Sequence, residues 1–159
     1  MKLASRKVVS VGAQRRMQMQ AARAGAPALR ERFPQVARLS IELHFEERNG
    51  RTPSPQQHTL FPAARAFFRF ACPCAECDGD FDLTAAVDAL AGTAGTGRRA
   101  AEAAASGRLQ CEGWRARERA GSRPCSIELQ YSLRLGGASE TDEPQLQPAL
   151  PPVEKRAHR

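Results

Sequence analysis

The sequence has few large apolar side chains and no long apolar run. Its 159 residues include one Trp, one Tyr and seven Phe, and much of its 42% hydrophobic content is alanine. No apolar stretch approaches the roughly 18 residues that a membrane-spanning helix needs. The first residues also lack the apolar run of a secretory signal. We therefore expect one modest cytoplasmic domain, without a membrane partner, that gains from a metal or covalent staple.

The short motifs of common enzyme classes are also missing. There is no P-loop, no G-x-G-x-x-G and no serine nucleophile elbow, and residues 91–97, "AGTAGTG", have the composition of a linker. His44 falls on the polar side of a predicted strand, His58 in a proline-rich loop and His158 in the tail. We therefore favour a binding protein over an enzyme, with a thiol- or metal-dependent enzyme as an alternative.

Acidic side chains are absent from residues 1–30, which carry seven basic ones. Residues 31–136 are close to neutral, with 14 basic and 13 acidic side chains, and residues 137–159 have three and four. The N-terminal segment therefore accounts for the net charge of +7. Such an arm can contact phosphate, although a GC-rich bacterial genome would also explain the many arginines.

Hydrophobic patterns predict an α+β fold with a small four-stranded, mainly antiparallel sheet and two to three helices. The predicted strands are 36–48, 63–73, 108–114 and 125–135. The first predicted helical region is 13–33, with a helix at 13–24 and a further turn or two at 26–33. Short helices are predicted at 82–91 and 98–107, and Asp80 or Asp82 would cap the helix at 82–91. We expect a flexible basic arm at 1–12, one domain at 13–136 and a disordered proline-rich tail at 137–159.

Cysteine is concentrated in two places. Cys74 and Cys77 form a C-x-x-C followed by Gly79, and the pattern "CDG" is echoed by "CEG" at 111–113. If 108–113 pairs with 125–135 as an antiparallel hairpin, Cys111 and Cys125 lie at the two ends of its loop. Four thiolates can then surround one ion. The predicted metal ligands are Cys74, Cys77, Cys111 and Cys125, with Cys72 as an alternative ligand.

This arrangement resembles zinc-ribbon and zinc-knuckle proteins, in which two cysteine-bearing turns clamp one zinc ion. The resemblance covers residues 72–79 and 111–125, and it departs from the usual spacing because 13 residues separate Cys111 from Cys125. It implies a structural zinc pinned between the start of the 82–91 helix and the last hairpin. An iron–sulfur cluster, a redox-active thiol, and inert or disulfide-bonded cysteines are the alternatives.

A partner surface is predicted at the loop that follows Cys111. The loop offers an aromatic ring for stacking and several cations for phosphates, namely Trp114, Arg115, Arg117, Arg119 and Arg123. Arg15 and Arg16 of the basic segment are further candidates. We expect RNA, DNA or the ribosome as the partner, and the alternative is a protein–protein adaptor whose zinc is purely structural.

Overall fold

The computed structural model describes residues 10–48, 52–94, 103–115 and 123–137. Its helices are α1 (Val11–Ala24), α2 (Leu29–Arg32) and α3 (Thr84–Ala94). Its strands are β1 (Val36–Glu47), β2 (Gln56–Leu60), β3 (Arg69–Ala71), β4 (Asp80–Asp82), β5 (Ala103–Gln110), β6 (Trp114–Arg115), β7 (Arg123–Pro124) and β8 (Ile127–Gly137). Among these residues, no helix is long and apolar enough to cross a membrane.

The four-stranded antiparallel sheet has the order β2–β1–β8–β5, which confirms the predicted α+β class. Strands β1 and β8 are its long central pair, with Ile41 opposite Leu133. The predicted hairpin between the third and fourth strands is present, since Gln110 of β5 faces Glu128 of β8. Two short ribbons, β3–β4 and β6–β7, lie outside this sheet.

The core lies on one face of the sheet because apolar and polar residues alternate along β1 and β8. Leu39, Ile41, Leu43 and Phe45 of β1 are buried, and the residues between them are polar and more exposed. The helices and the β3–β4 ribbon contribute further apolar side chains to this core. For example, the ring of Phe81 in β4 lies 5.8 Å from that of Phe45. The opposite face of the sheet stays polar.

The predicted strand at 63–73 is wrong as a member of the main sheet. The sheet instead takes in β2, which includes His58 of the predicted proline-rich loop. Within 63–73 only Arg69–Ala71 is a strand, in the β3–β4 ribbon. Strand β2 is polar and lies at the sheet edge, where its residues are only partly covered. Because neither face of β2 is fully buried, its sequence lacks the alternation of apolar and polar residues that would identify a strand. His58 is consequently not a solvated loop residue, because its ring lies 5.2 Å from that of Phe70.

The predicted helix at 98–107 is also wrong where the structure describes it. Ala103–Gln110 is strand β5, paired with β8 along its whole length. Alanine favours a helix locally, but tertiary pairing overrides that preference. Gly107 lies opposite Tyr131, and a Cβ added there would lie 2.7 Å from Cζ of the tyrosine ring. The small side chains of β5 thus make room for the neighbouring strand and helix.

The other helices match their predicted positions closely. The hydroxyl of Ser10 accepts the N–H of Ala13 at the start of α1, and Glu31 accepts the N–H of Ala28 at the start of α2. The Asp82 carboxylate accepts the N–H of Thr84 at the start of α3, as one of the two predicted caps. Residues 1–9 of the predicted arm, and the tail beyond 137, lie outside the described residues.

Candidate metal centre

Four cysteine side chains meet at the end of the sheet where the two ribbons lie. The sulfurs of Cys72, Cys77, Cys111 and Cys125 all lie within 4.8 Å of one another, and all four residues are buried. The sulfur of Cys77 is 3.6 Å from that of Cys111, and the sulfur of Cys72 is 3.8 Å from that of Cys125. None of these cysteines forms a disulfide. The four sulfurs therefore form one compact group of potential ligands.

The first two cysteines belong to a hairpin that continues β3 and β4, which we call the first cysteine turn (residues 72–79). The N–H of Cys72 donates to the carbonyl of Gly79, at 3.0 Å, and so extends the ribbon by one pair. The N–H of Cys77 donates to the carbonyl of Cys74 within the turn. The N–H of Gly79 then points back to the sulfur of Cys77, at 3.2 Å. These bonds place both sulfurs on the inner side of the turn.

The other two cysteines repeat this arrangement in the second cysteine turn (residues 111–113 with Cys125). The N–H of Cys125 donates to the carbonyl of Gly113, at 2.8 Å, as Cys72 does to Gly79. The N–H of Gly113 points to the sulfur of Cys111, at 3.4 Å. The echo of "CDG" by "CEG" in the sequence thus corresponds to two turns of the same construction, each directing one backbone donor at a sulfur.

The two turns pack directly against each other because neither glycine has a side chain. A Cβ added at Gly79 would lie 2.5 Å from the sulfur of Cys111, and one added at Gly113 would lie 2.6 Å from the sulfur of Cys77. Both distances are far inside ordinary van der Waals contact. The N–H of Trp114 also donates to Asp78 Oδ1 across the junction, at 2.8 Å. Glycine at both positions is therefore needed for the sulfurs to meet.

Two of the sulfur separations fit the edge of a tetrahedral metal site. For metal–sulfur bonds of about 2.3 Å, two ligands of a tetrahedral site lie about 3.8 Å apart. The distances of 3.6 and 3.8 Å match this edge. The donors are also suitable, because thiolates are the usual ligands of structural sites and backbone N–H groups stabilise their charge. The residues present can therefore hold a metal ion.

The pKa values of three thiols in the cluster are shifted in different directions. A hydrogen bond with Cys72, assisted by the N–H of Gly113 and opposed by burial, lowers the pKa of Cys111 to about 6. Burial is the main cause that raises the pKa of Cys77 to about 12. The hydrogen bond to Cys111 and burial raise the pKa of Cys72 as well. Adjacent thiolates repel one another, so a bound cation is what would allow all four to be deprotonated together.

A buried arginine lies beside the cluster. Arg115 is only 7% exposed, and its backbone pairs with that of Cys77 across the junction of the two turns. Glu47, the last residue of β1, places Oε1 2.6 Å from Nη2 of this arginine. The Nε and Nη2 groups are buried, and neither has a hydrogen-bond partner of good geometry among the residues that the structure describes. Although burial opposes it, interactions with Cys125 and Glu47 raise the pKa of Arg115.

The structure brings three of the four predicted ligands together, and Cys72 takes the place of Cys74. Cys77, Cys111 and Cys125 belong to the cluster, and the fourth sulfur is that of Cys72, the alternative ligand. Cys74 is partly exposed and is not in the group. Phe68, Phe70 and Cys72 alternate on the buried side of the chain before the turn, so Cys72 continues an inward-facing row. That row was the signal in the sequence for Cys72.

The residues predicted to contact a partner lie in different surroundings. Trp114 is 53% exposed and lies opposite Pro124. Arg123 is also exposed, whereas Arg115, which lies opposite Arg123, is buried. Arg15 forms an ion pair with Asp80, at 3.1 Å, and Arg16 is exposed on α1. Arg117 and Arg119 lie outside the described residues. Of the predicted residues in this loop, Trp114 and Arg123 of the β6–β7 ribbon are therefore the ones shown to be exposed.

A cationic cleft lies beside the edge strand β2, and sequence reasoning did not identify it. It encloses about 380 Å³, and its lining includes Arg23, His58, Arg65 and Phe67. The Arg23 guanidinium lies over the ring of Phe67, at 5.7 Å, and Arg65 donates to the carbonyl of Ala26. Within the described ranges, neither arginine forms an ion pair with a carboxylate. The residues that line this cleft include no acid.

The fold and the cluster define a small α+β protein with a four-cysteine site suited to a metal ion. Comparison of the chain with protein families, with curated proteins and with solved structures finds no match. The functional assignment therefore rests on the site itself.

Proposed function

We propose that this protein is a zinc-stabilised binding module. The observation that supports the metal is the meeting of four buried sulfurs within 4.8 Å, with two of the separations at 3.6 and 3.8 Å. All four donors are thiolates, and this ligand set is typical of structural zinc. A cluster of several irons would bind its cysteines through different iron atoms and would hold them farther apart. The proposed ligands are Cys72, Cys77, Cys111 and Cys125.

A structural role suits this site better than a catalytic one. A catalytic zinc keeps an open position for water or substrate and commonly uses His, Asp or Glu. Here four sulfurs are available, and Asp78, Asp80 and Asp82 are engaged with Trp114, with two arginines and with Thr84. The ion would join the first cysteine turn, which leads into α3, to the hairpin that ends in β8.

The first test is the metal content of protein purified without added metal, together with its free thiols. We expect about one zinc per chain, with four thiols protected and the partly exposed Cys74 reactive. Cys74→Ser should keep the metal, whereas Cys72→Ser should lose it. This pair is well matched, because the two positions are two residues apart. Five reactive thiols and no metal in the native protein would refute the proposed site.

For the partner we propose a nucleic acid, contacted through the second cysteine turn and the basic N-terminal segment. The supporting observations are the net charge of +7 and two exposed residues of the β6–β7 ribbon that the metal would pin, Trp114 of β6 and Arg123 of β7. A ring of this kind can stack on a base while arginines contact phosphates. Arg117, Arg119 and Arg16 are proposed as further phosphate contacts, and a cytoplasmic RNA or ribosomal RNA is the partner class.

Retention of a labelled single-stranded RNA at several salt concentrations tests this partner. Binding should fall steeply with salt, because each phosphate contact releases a counterion. Trp114→Ala should weaken it, by roughly 1–3 kcal/mol per stacked base. Phe61→Ala is the matched control, since Phe61 is a similarly exposed aromatic residue that lies away from this turn. Equal loss in both variants, or no retention at low salt, would favour the adaptor alternative.

A further inference from the structure

The metal centre has a charged neighbour whose placement needs an explanation. Arg115 is almost fully buried, and a buried guanidinium is costly unless it is well paired. Glu47 compensates part of this charge at 2.6 Å, but the buried Nε–H remains without a partner among the described residues. One carboxylate therefore does not satisfy this side chain.

The surroundings of Arg115 point to a second anionic partner. Its backbone pairs with that of Cys77 on one side and with that of Arg123 on the other. Arg123 lies two residues before Cys125. Four thiolates around one divalent ion would carry a net charge of about −2. Such a centre is a natural counterpart for a buried cation, because Coulomb interactions are strong away from water.

We propose that Arg115 is the counter-cation of the metal centre and that Glu47 sets how much of its charge the centre receives. This inference rests on the proposed metal site and adds a positioning residue to it. Arg115 binds no metal itself. It stabilises the loaded, dianionic state by its charge, from a buried position whose backbone pairs with that of Cys77. Glu47 competes with the centre for the same guanidinium.

The proposal predicts opposite effects from the two halves of one ion pair. Arg115→Met removes the cation and should weaken zinc binding about 10–100-fold, the range seen for outer partners of metal ligands. Glu47→Gln keeps the shape but frees the guanidinium for the centre, so zinc binding should become tighter. If the pair merely fastened β6 to β1, both substitutions would weaken zinc binding together.

The experiment is a competition titration of purified protein with a chromophoric zinc chelator at fixed pH, with folding followed by circular dichroism. Arg115→Lys is the control for charge, and it should lie closer to wild type than Arg115→Met does. If Arg115→Met does not fold, Glu47→Gln and Arg115→Lys still decide. A weaker or unchanged affinity in Glu47→Gln would overturn the proposal.

Failure of the metal site and failure of the counter-cation role would give different results. If the wild-type protein takes up no zinc from the chelator, the proposed metal site itself is refuted. If the wild type binds about one ion and the Arg115 and Glu47 variants shift in the same direction, the metal site stands. In that case only the role of Arg115 as counter-cation is lost.

Discussion

The closest contact between the two cysteine turns offers the sharpest test of the metal centre. We expect Gly113→Ala to separate the turns, because the added Cβ would lie 2.6 Å from the sulfur of Cys77. Ordinary contact needs about 3.5–4.0 Å. The turns must therefore move apart by about 1 Å, while a metal–sulfur distance tolerates a change of only about 0.2 Å.

The magnitude follows from this mismatch. In the metal-free protein the methyl group should cost about 1–3 kcal/mol, as overpacking of a core usually does. In the loaded protein the same displacement moves one thiolate out of reach, so zinc affinity should fall by more than the roughly 10–100-fold expected for an outer partner. The substitution should therefore lower the free energy of unfolding more in the zinc-loaded protein than in the metal-free protein.

The assay compares chelator competition and thermal unfolding, with and without zinc, for Gly113→Ala and Gly92→Ala. An added Cβ at Gly92 would meet no atom within 4 Å, so this variant should bind zinc normally. It should also gain up to about 1 kcal/mol from the helix preference of alanine. If Gly113→Ala bound zinc within about tenfold of wild type, the close approach of the turns would not be what positions the sulfurs.

Three further predictions follow from other contacts. Zinc binding near neutral pH should release protons, because the pKa values of Cys72 and Cys77 are raised. Calorimetry in buffers of different ionisation enthalpy measures this release. A binding enthalpy that does not depend on the buffer would contradict the prediction. Burial and Arg23 lower the pKa of His58 below 6.5, so its contribution to stability is complete above that pH and is lost as the pH falls through the lower, folded-state pKa. Urea unfolding of His58→Gln should show a weaker loss on acidification than wild type, and an identical slope would refute this. Gly12→Ala should destabilise the protein by about 1–3 kcal/mol, because its Cβ would lie 2.5 Å from the carbonyl oxygen of Ala75. Gly25→Ala is the control, since its Cβ would make only an ordinary contact. Equal free energies of unfolding in the two variants would count against tight packing of α1 on the first cysteine turn.

The sequence predicted those parts of the fold in which burial leaves a regular pattern. Strands β1 and β8 are half-buried along their length, and their alternation identified both. Strand β2 is an edge strand of polar residues, and β5 is rich in small residues that favour a helix. Their strand conformation comes from pairing with β1 and β8, which is not visible in their own residues.

Prediction of the candidate site also depended on the pattern that burial leaves in the sequence, and it failed where packing between distant segments decides the outcome. The C-x-x-C spacing indicated Cys74 as a ligand, but its sulfur does not belong to the group of four. The inward row that ends at Cys72 was the better guide. Similarly, Glu47 continues the buried face of Leu43 and Phe45, and a carboxylate in such a row indicates a buried partner. That Arg115 is this partner depends on the packing of β6 against β1.

The order in which the ligands leave the ribosome bears on how the domain matures. The first pair of cysteines is synthesised early, but Cys125 follows Cys77 by 48 residues. At about 5–20 residues per second, the first turn waits roughly 2–10 seconds for its fourth ligand. The central strand β8 begins two residues after Cys125. The sheet and the four-cysteine cluster are thus completed by the same late stretch of chain. An interrupted translation product that ends before residue 125 lacks Cys125 and β8, and it should be an easy target for proteases.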